Sequence, residues 1–216
     1  MLSLALLAAV EPALGQHLGL DLNGGWQTIN RSASLVEYQN YKFGFLLTCD
    51  VTQVTTTNWG SGLGMDFHRG QDFVGQLRMI LPFHFKARDD GATLSKLRDT
   101  GLLQDSALSS AFMHMTIYCM AGGPDAEAGL EIPPTKLLRL VNKHGVRYLK
   151  FWSNYETVWL RKPAERVPVG PFYLVDFSTS DRQLFVYLKY DCAKATPTWA
   201  ESLLDSLVSS MDRFKK

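Results

Sequence analysis

The chain has 216 residues, and its 22 Lys and Arg against 21 Asp and Glu give a formal net charge of +1. Hydrophobic residues make up 46% and charged residues 20%, proportions typical of an ordered globular protein with a substantial core. A nearly neutral chain lacks a general field that would attract nucleic acid or an anionic membrane. No stretch reaches the roughly 20 apolar residues that a spanning helix needs. We therefore expect a soluble protein without a nucleic-acid partner or an integral membrane segment.

The first 15 residues have two interpretations. Leu2 to Val10 is an apolar run followed by the small-x-small sequence Ala13-Leu14-Gly15, which is typical of a bacterial secretory signal, although no Lys or Arg precedes the run. The alternative is a short N-terminal helix that ends at Glu11-Pro12. The first interpretation predicts a periplasmic protein and the second a cytoplasmic one. In both, residues 16–216 form a single domain.

Alternating apolar residues predict strands in the first half of the chain. Lys42 to Cys49, Phe73 to Lys86 and Phe112 to Met120 each alternate with period two, as half-buried antiparallel strands do. We expect these three strands to share one sheet. A weaker helical pattern lies between Thr93 and Ala111, with a break at Gly101.

Two hairpins are predicted in the second half. Ser153-Asn154 separates the strand-like segments 146–152 and 155–161, which is the length of a two-residue turn. Phe172 to Phe177 and Leu184 to Tyr190 flank a run of turn-forming residues.

Two helices are predicted as well. The first covers Thr135 to Lys143, with a proline pair before it and Gly145 after it. The second begins at Thr198, which has the spacing of a capping box with Glu201. Its apolar stripe is expected to dock on the sheet face that carries Leu77, Met79 and Leu81; the stripe includes Trp199, Leu203, Leu207 and Met211.

Together these elements predict an α+β fold. We expect an antiparallel sheet of about six to eight strands with two or three helices packed on one face, including the C-terminal amphipathic helix. Residues 121–134 are the candidate boundary within the domain, because they combine glycines, prolines and an acidic loop.

The cysteines are widely spaced. Cys49, Cys119 and Cys192 show neither CxxC spacing nor a nearby His, so we expect no zinc site. Three buried free thiols are the favoured interpretation. One disulfide with one spare thiol is the alternative, and it would accompany export.

Candidates for catalysis or metal binding are few, and no cofactor motif is present. Asp66 and His68 fall on one face of a strand and could begin a general acid–base pair, but no nucleophile can be assigned to them. His84 and His114 could converge on a metal, although a solvent-facing position on each strand is favoured for both. We therefore predict no metal site and no cofactor.

Aromatic and basic residues favour binding. Trp59 lies in a glycine-rich loop, where a large ring has little to bury it and could contact a partner. Lys136, Arg139 and Lys143 have helical spacing, which would place them on one basic face for an acidic partner, extended by Arg147 and Lys150. Rings on the outward side of the later strands either pack under a helix or form a binding surface. The predicted binding residues are Trp59, Trp152, Tyr155, Trp159, Phe185, Tyr187, Arg139 and Lys143.

We therefore expect a non-enzymatic protein that binds another protein, such as a bacterial immunity-type or envelope accessory protein. One alternative is a hydrolase whose acid–base residues are Asp66 and His68. Another is a carrier of a small apolar ligand.

Overall fold

The computed structural model describes residues 25–58, 63–81, 95–119, 121–123, 126–159 and 162–214. Residues 95–97 are helical, and two 3-10 turns follow at Arg98–Thr100 and Leu102–Gln104. The remaining elements, in chain order, are β1 Trp26–Asn30, β2 Leu35–Asn40, β3 Phe45–Asp50, β4 Thr55–Asn58, β5 Gly64–Arg69, β6 Asp72–Ile80, α1 Ser106–Tyr118, β7 Ala121–Gly123, β8 Ala126–Leu130, β9 Lys136–Val141, β10 Arg147–Trp159, β11 Lys162–Asp176, β12 Phe185–Lys189, α2 Thr198–Ser210 and β13 Asp212–Arg213.

The described strands form two antiparallel sheets. The smaller has the order β1-β2-β3-β13. The larger has the order β4-β5-β6-β12-β11-β10-β8-β7, and β9 also pairs with β10. The predicted α+β class, with antiparallel sheets and a C-terminal helix, is confirmed. Strands from before and after residues 121–134 share the larger sheet, since β6 pairs with β12.

The larger sheet carries a hydrophobic core on each face. Val186 and Leu188 of β12 belong to the first core, which also contains apolar residues of α2 and of the smaller sheet. Phe185 and Tyr187 alternate with them and belong to the second core, which contains apolar residues of α1. A strand covered on both faces is largely apolar, and all five residues of β12 are buried, of which Lys189 alone is charged. Helices α1 and α2 thus lie on opposite faces of this sheet.

Helix α2 docks as its apolar stripe predicts. Leu207 and Met211 share the first core with Leu77 and Met79. The predicted capping box, however, is wrong. Pro197 occupies the cap position and no side chain caps the helix, because the helix begins at Thr198 itself and Glu201 pairs with a lysine of the sheet.

The expected strand over Phe112 to Met120 is also wrong, because Phe112 to Tyr118 belong to α1; Met120 lies outside the described residues. Asp105 caps this helix by accepting a hydrogen bond from the Leu108 N–H at 2.9 Å. Phe112, Met115 and Cys119 are spaced by three and four residues and all enter the second core. So short an apolar run fits both the period of a helix and that of a strand. The cap at Asp105 favours the helix.

The expected helix over Thr135 to Lys143 is a strand, β9. Asn142 closes a tight turn by accepting hydrogen bonds from the N–H groups of His144 and Val146, both at 3.0 Å. Gly145 adopts the positive φ of 80° that this turn needs, which glycine tolerates without strain. The glycine therefore ends a hairpin, and cross-strand pairing with β10 overrides helical propensity.

Ser153 and Asn154 do not form a turn, because β10 runs continuously through them. The register with β11 shifts between Phe151 and Ser153, as at a β-bulge. The Ser153 hydroxyl donates to the Glu131 carbonyl at 2.6 Å, and the Asn154 amide donates to the Glu131 carboxylate at 2.7 Å. The second predicted hairpin is confirmed by the pairing of β11 with β12.

The cysteines do not remain three free thiols. A disulfide joins Cys119, just after α1, to Cys192, just after β12. Cys49 is free and buried, so the alternative of one disulfide with one spare thiol describes the chain. None of the described helices is long and apolar enough to cross a membrane.

Candidate functional site

A cleft of about 320 Å³ lies at one end of the larger sheet, on the side of the second core. One wall comes from the 3-10 turns and the first turn of α1, and the other from β9, β10 and β11. The lining residues are Gly101, Leu102, Gln104, Asp105, Leu108, Arg139, Leu140, Val141, Arg147, Tyr148, Leu149, Leu174 and Asp176.

Strand register brings two arginines to the same wall of this cleft. Arg139 lies opposite Leu149, and Arg147 lies opposite Val141. Residues directly opposite each other, and residues two apart along a strand, share one face of a sheet. All four side chains therefore project on the face that forms the cleft.

Among the described residues, each arginine makes one side-chain hydrogen bond. Arg147 Nη2 donates to Asp176 Oδ2 at 2.6 Å, while the Arg147 side chain is 70% exposed. Arg139 Nη2 donates to the carbonyl oxygen of Thr100, which ties β9 to the first 3-10 turn. A guanidinium has five N–H donors, so each retains donors for a ligand.

The floor of the cleft is apolar. Leu102, Leu149 and Leu174 are all buried. At the rim, Val141 is 63% exposed, the largest exposure among the described large hydrophobic residues. The two carboxylates of the lining already have hydrogen-bond partners, Asp105 in the helix cap and Asp176 with Arg147. The arrangement suits a group that is partly apolar and carries a negative charge.

The predicted basic face is wrong in its composition, because β9 is a strand and alternate residues point to opposite sides. Lys136 lies over the ring of Trp152, with Nζ 4.4 Å from the centroid. Lys150 bonds Asp205 of α2 on that same side, while Lys143 is exposed in the turn between β9 and β10. Of the predicted binding residues, only Arg139 lines the cleft.

Arg147 and Asp176 were missed as a pair because they are distant in sequence and adjacent only through the register of β10 with β11. The one relevant pattern in the sequence is the spacing of Arg147 and Leu149, which places both side chains on the same face of a strand.

The predicted aromatic surface is largely interior. Phe185 and Tyr187 lie in the second core beneath α1, so they pack under a helix and offer no accessible face. Tyr155 is also buried, and Trp152 is half-buried against Lys136. Trp59 lies outside the described residues. So does the side chain of Trp159, whose backbone ends β10.

Asp66 and His68 do not form an acid–base pair. No hydrogen bond joins them within the described part of the chain, and the His68 ring packs edge-on against Phe73 at 5.8 Å. Asp66 Oδ1 is buried, and none of the residues that the structure describes forms a hydrogen bond with it. Asp66 and His68 do share one face of β5, since they pair in regular register with Thr57 and Thr55 of β4, but their side chains do not bond to each other.

Asp66 instead lies near a buried lysine. Asp66 pairs in register with Gln76, which pairs with Lys189, and the Asp66 and Lys189 charges interact. Lys189 is 9% exposed and forms no ion pair within the described residues. Burial is the largest influence and lowers the pKa of Lys189 below its ordinary value.

The metal hypothesis has no support in the described ranges, which contain no cluster of three or more His, Cys, Asp or Glu side chains suited to a metal ion. His84 lies outside those ranges, and His114 lies on α1. His114 was expected on a strand, so the geometry assumed for the pair is not present.

No protein-family model matches the chain, and no curated protein matches it.

Proposed function

We propose that this protein is a non-enzymatic binding protein that captures an acidic segment of a partner protein in the cleft beside Arg139 and Arg147. The observation that carries the proposal is the placement of two guanidinium groups on one wall of an apolar cleft. Arginine suits this task because its planar donors match the geometry of a carboxylate.

The chemical groups of the lining support recognition. Its side chains supply guanidinium, carboxylate, amide, phenol and aliphatic groups, and none of the lining residues is a Ser, Thr, Cys, His or Lys. The exposed Val141 and the leucine floor provide an apolar contact that can exclude water around a charged pair. The hydrolase alternative lacks comparable support, since Asp66 and His68 do not bond to each other.

An exported setting fits the same proposal. Disulfides persist in oxidising compartments such as the bacterial periplasm, and the chain carries the Cys119–Cys192 bridge. We place the protein there as a partner-binding protein of the immunity or envelope-accessory kind.

The test is charge reversal in the cleft. The partner is first recovered from the native host, and its affinity is then measured for wild type, Arg139→Glu and Lys143→Glu. Lys143 undergoes the same change of charge but is exposed in the neighbouring turn. We expect Arg139→Glu to weaken binding by about 2 kcal/mol or more, as at a hot spot, and Lys143→Glu to have a much smaller effect.

Thermal melts of both variants provide the control for folding. Equal losses of affinity for the partner in Arg139→Glu and Lys143→Glu would show a diffuse electrostatic effect. Full affinity in Arg139→Glu would exclude the cleft as the binding site.

A further inference from the structure

Strand β9 is an edge of the larger sheet. It pairs with β10 on one side, and no other described strand pairs with it. Edge strands carry unpaired N–H and C=O groups, which form a template for another extended chain.

The pattern of hydrogen bonds identifies the outward-facing groups. The N–H of Asn142 donates to the carbonyl of Val146 at 2.9 Å, so these two residues form a hydrogen-bonded pair at the end of the hairpin. Hydrogen-bonded and non-hydrogen-bonded pairs alternate along an antiparallel ladder. The N–H and C=O groups of Leu137, Arg139 and Val141 therefore point away from β10.

Strand β9 is more apolar than the other edge strands of the larger sheet. Its sequence, KLLRLV, has four branched aliphatic residues out of six. The edge strand β4 has the polar sequence TTTN, and β7 has only AGG. An apolar edge with the exposed Val141 at its end is unfavourable unless something covers it.

The positive charge on β9 indicates that a strand added to its edge would be acidic. Arg139 lies in the middle of β9 and faces the cleft, and Lys136 begins the strand. The carboxylate of an added strand would lie directly opposite Arg139, at the distance of a cross-strand pair.

We propose that an extended acidic segment of the partner adds to β9 as a further strand of the larger sheet and places a Glu or Asp side chain opposite Arg139. This inference rests on the proposed function and specifies how the partner is held. Backbone hydrogen bonds supply affinity, and the contact with Arg139 supplies selectivity.

The probe is a library of peptides of about ten residues, the length of a long strand, with a fixed central Glu between randomised Val, Ile and Thr. The tightest binder is compared with its Glu→Gln form and with forms N-methylated at single positions. Methylation at alternate positions, whose N–H groups face β9, should lower affinity about tenfold or more, and at the intervening positions much less.

Two measurements on the protein accompany the peptide series. Peptide addition should slow hydrogen exchange at the amides of Leu137, Arg139 and Val141 far more than at those of Leu138 and Leu140, which already bond to β10. Val141→Pro removes one outward N–H, which an edge strand tolerates. It should abolish binding while the fold persists, whereas Val141→Thr should retain binding.

The outcomes separate the two proposals. Binding that needs Arg139 but tolerates N-methylation everywhere, without protection of these amides, would overturn strand addition and leave the cleft as the site. Failure of the whole library would also overturn strand addition. In that case the affinity of the native partner for Arg139→Glu would still decide the proposed function separately.

Discussion

Lys150 of β10 and Asp205 of α2 form an ion pair, with Nζ 2.8 Å from Oδ1. Glu201 adds a second carboxylate 2.9 Å from Nζ, and the Tyr173 hydroxyl donates to Asp205 Oδ1 at 2.8 Å. The Lys150 side chain is 11% exposed. Burial opposes its charge, yet the hydrogen bonds that Lys150 donates to Asp205 and Glu201 prevail and raise the pKa of Lys150. This network fastens the C-terminal helix to the first-core face of the sheet.

Asp205→Ala should therefore lower the free energy of unfolding by about 1 to 3 kcal/mol, because a buried tyrosine hydroxyl loses its acceptor and a buried ammonium loses one of two carboxylates. Urea denaturation measures the change. Asp72→Ala is the control, since Asp72 is exposed at the start of β6. Equal effects of the two substitutions would mean that the network adds nothing to stability.

Lys189→Met should raise the free energy of unfolding by about 1 to 4 kcal/mol at neutral pH, since a buried charge is exchanged for an apolar group of similar length. Tyr187 lies two residues before Lys189 on β12, and its hydroxyl is buried without a hydrogen-bond partner in the described part of the chain. Lys143→Met, at an exposed position, should change stability by less than about 0.5 kcal/mol. A loss of stability in Lys189→Met would reveal a favourable role for this ammonium.

The pH dependence of the Lys189→Met effect follows from the lowered pKa. Below the pKa of the folded state, Lys189 is charged in both states and the cost of burying the charge is fully present. As pH rises from there towards the ordinary value of 10.5, the unfolded chain binds more protons, so the stability of wild type rises. The difference between Lys189→Met and wild type should therefore shrink over this range. A constant difference would mean that the effect comes from packing alone.

Alkylation should distinguish the three cysteines. Burial raises the pKa of Cys49 to about 12, and the thiol is the unreactive form. Iodoacetamide at pH 8 should therefore leave the native protein unmodified. It should add one group when the protein is denatured without a reductant, and three after reduction. Intact-mass spectrometry counts the groups, and three additions without reduction would exclude the Cys119–Cys192 bridge.

Gly75→Ala should destabilise the protein by about 1 to 3 kcal/mol through overpacking. A Cβ at this position would lie 2.6 Å from the carbonyl oxygen of Lys189 and 3.0 Å from Leu204 Cδ2. The leucine methyl can rotate away, but the strand backbone cannot. Adding Leu204→Ala should therefore not restore stability in chemical denaturation, and recovery in the double variant would show that only the side-chain contact matters.

Alternation predicted the strands β3 and β6 because each buries alternate apolar residues, but the expectation that they share one sheet is wrong, since β3 lies in the smaller sheet and β6 in the larger. The predictions were wrong for the two segments whose residues fit a helix and a strand equally well. Residues 112–120 alternate in hydrophobicity, yet Asp105 and the spacing of Phe112, Met115 and Cys119 form a helix. Residues 135–143 have good helix formers, yet the turn closed by Asn142 makes them a strand. In both cases the partners that stabilise the observed element, the second core for α1 and β10 for β9, come from other parts of the chain.

The cleft could be predicted only in part. Arg139 was identified for its charge, but its neighbours in space come from strand pairing, which short-range patterns do not contain. The prediction of an exposed aromatic surface at Phe185 and Tyr187 was wrong for a related reason. An outward-facing ring on a strand looks the same in sequence whether water or a helix lies above it, and α1 covers Phe185 and Tyr187.

The pairing of β6 with β12 has a consequence for biosynthesis. Leu77 can pair with Leu188 only after a further stretch on the order of a hundred residues has been synthesised. Topologies dominated by such distant contacts fold slowly. The smaller sheet is completed only by β13, near the end of the chain. A nascent chain of this topology cannot close either sheet on the ribosome until nearly all of it has emerged.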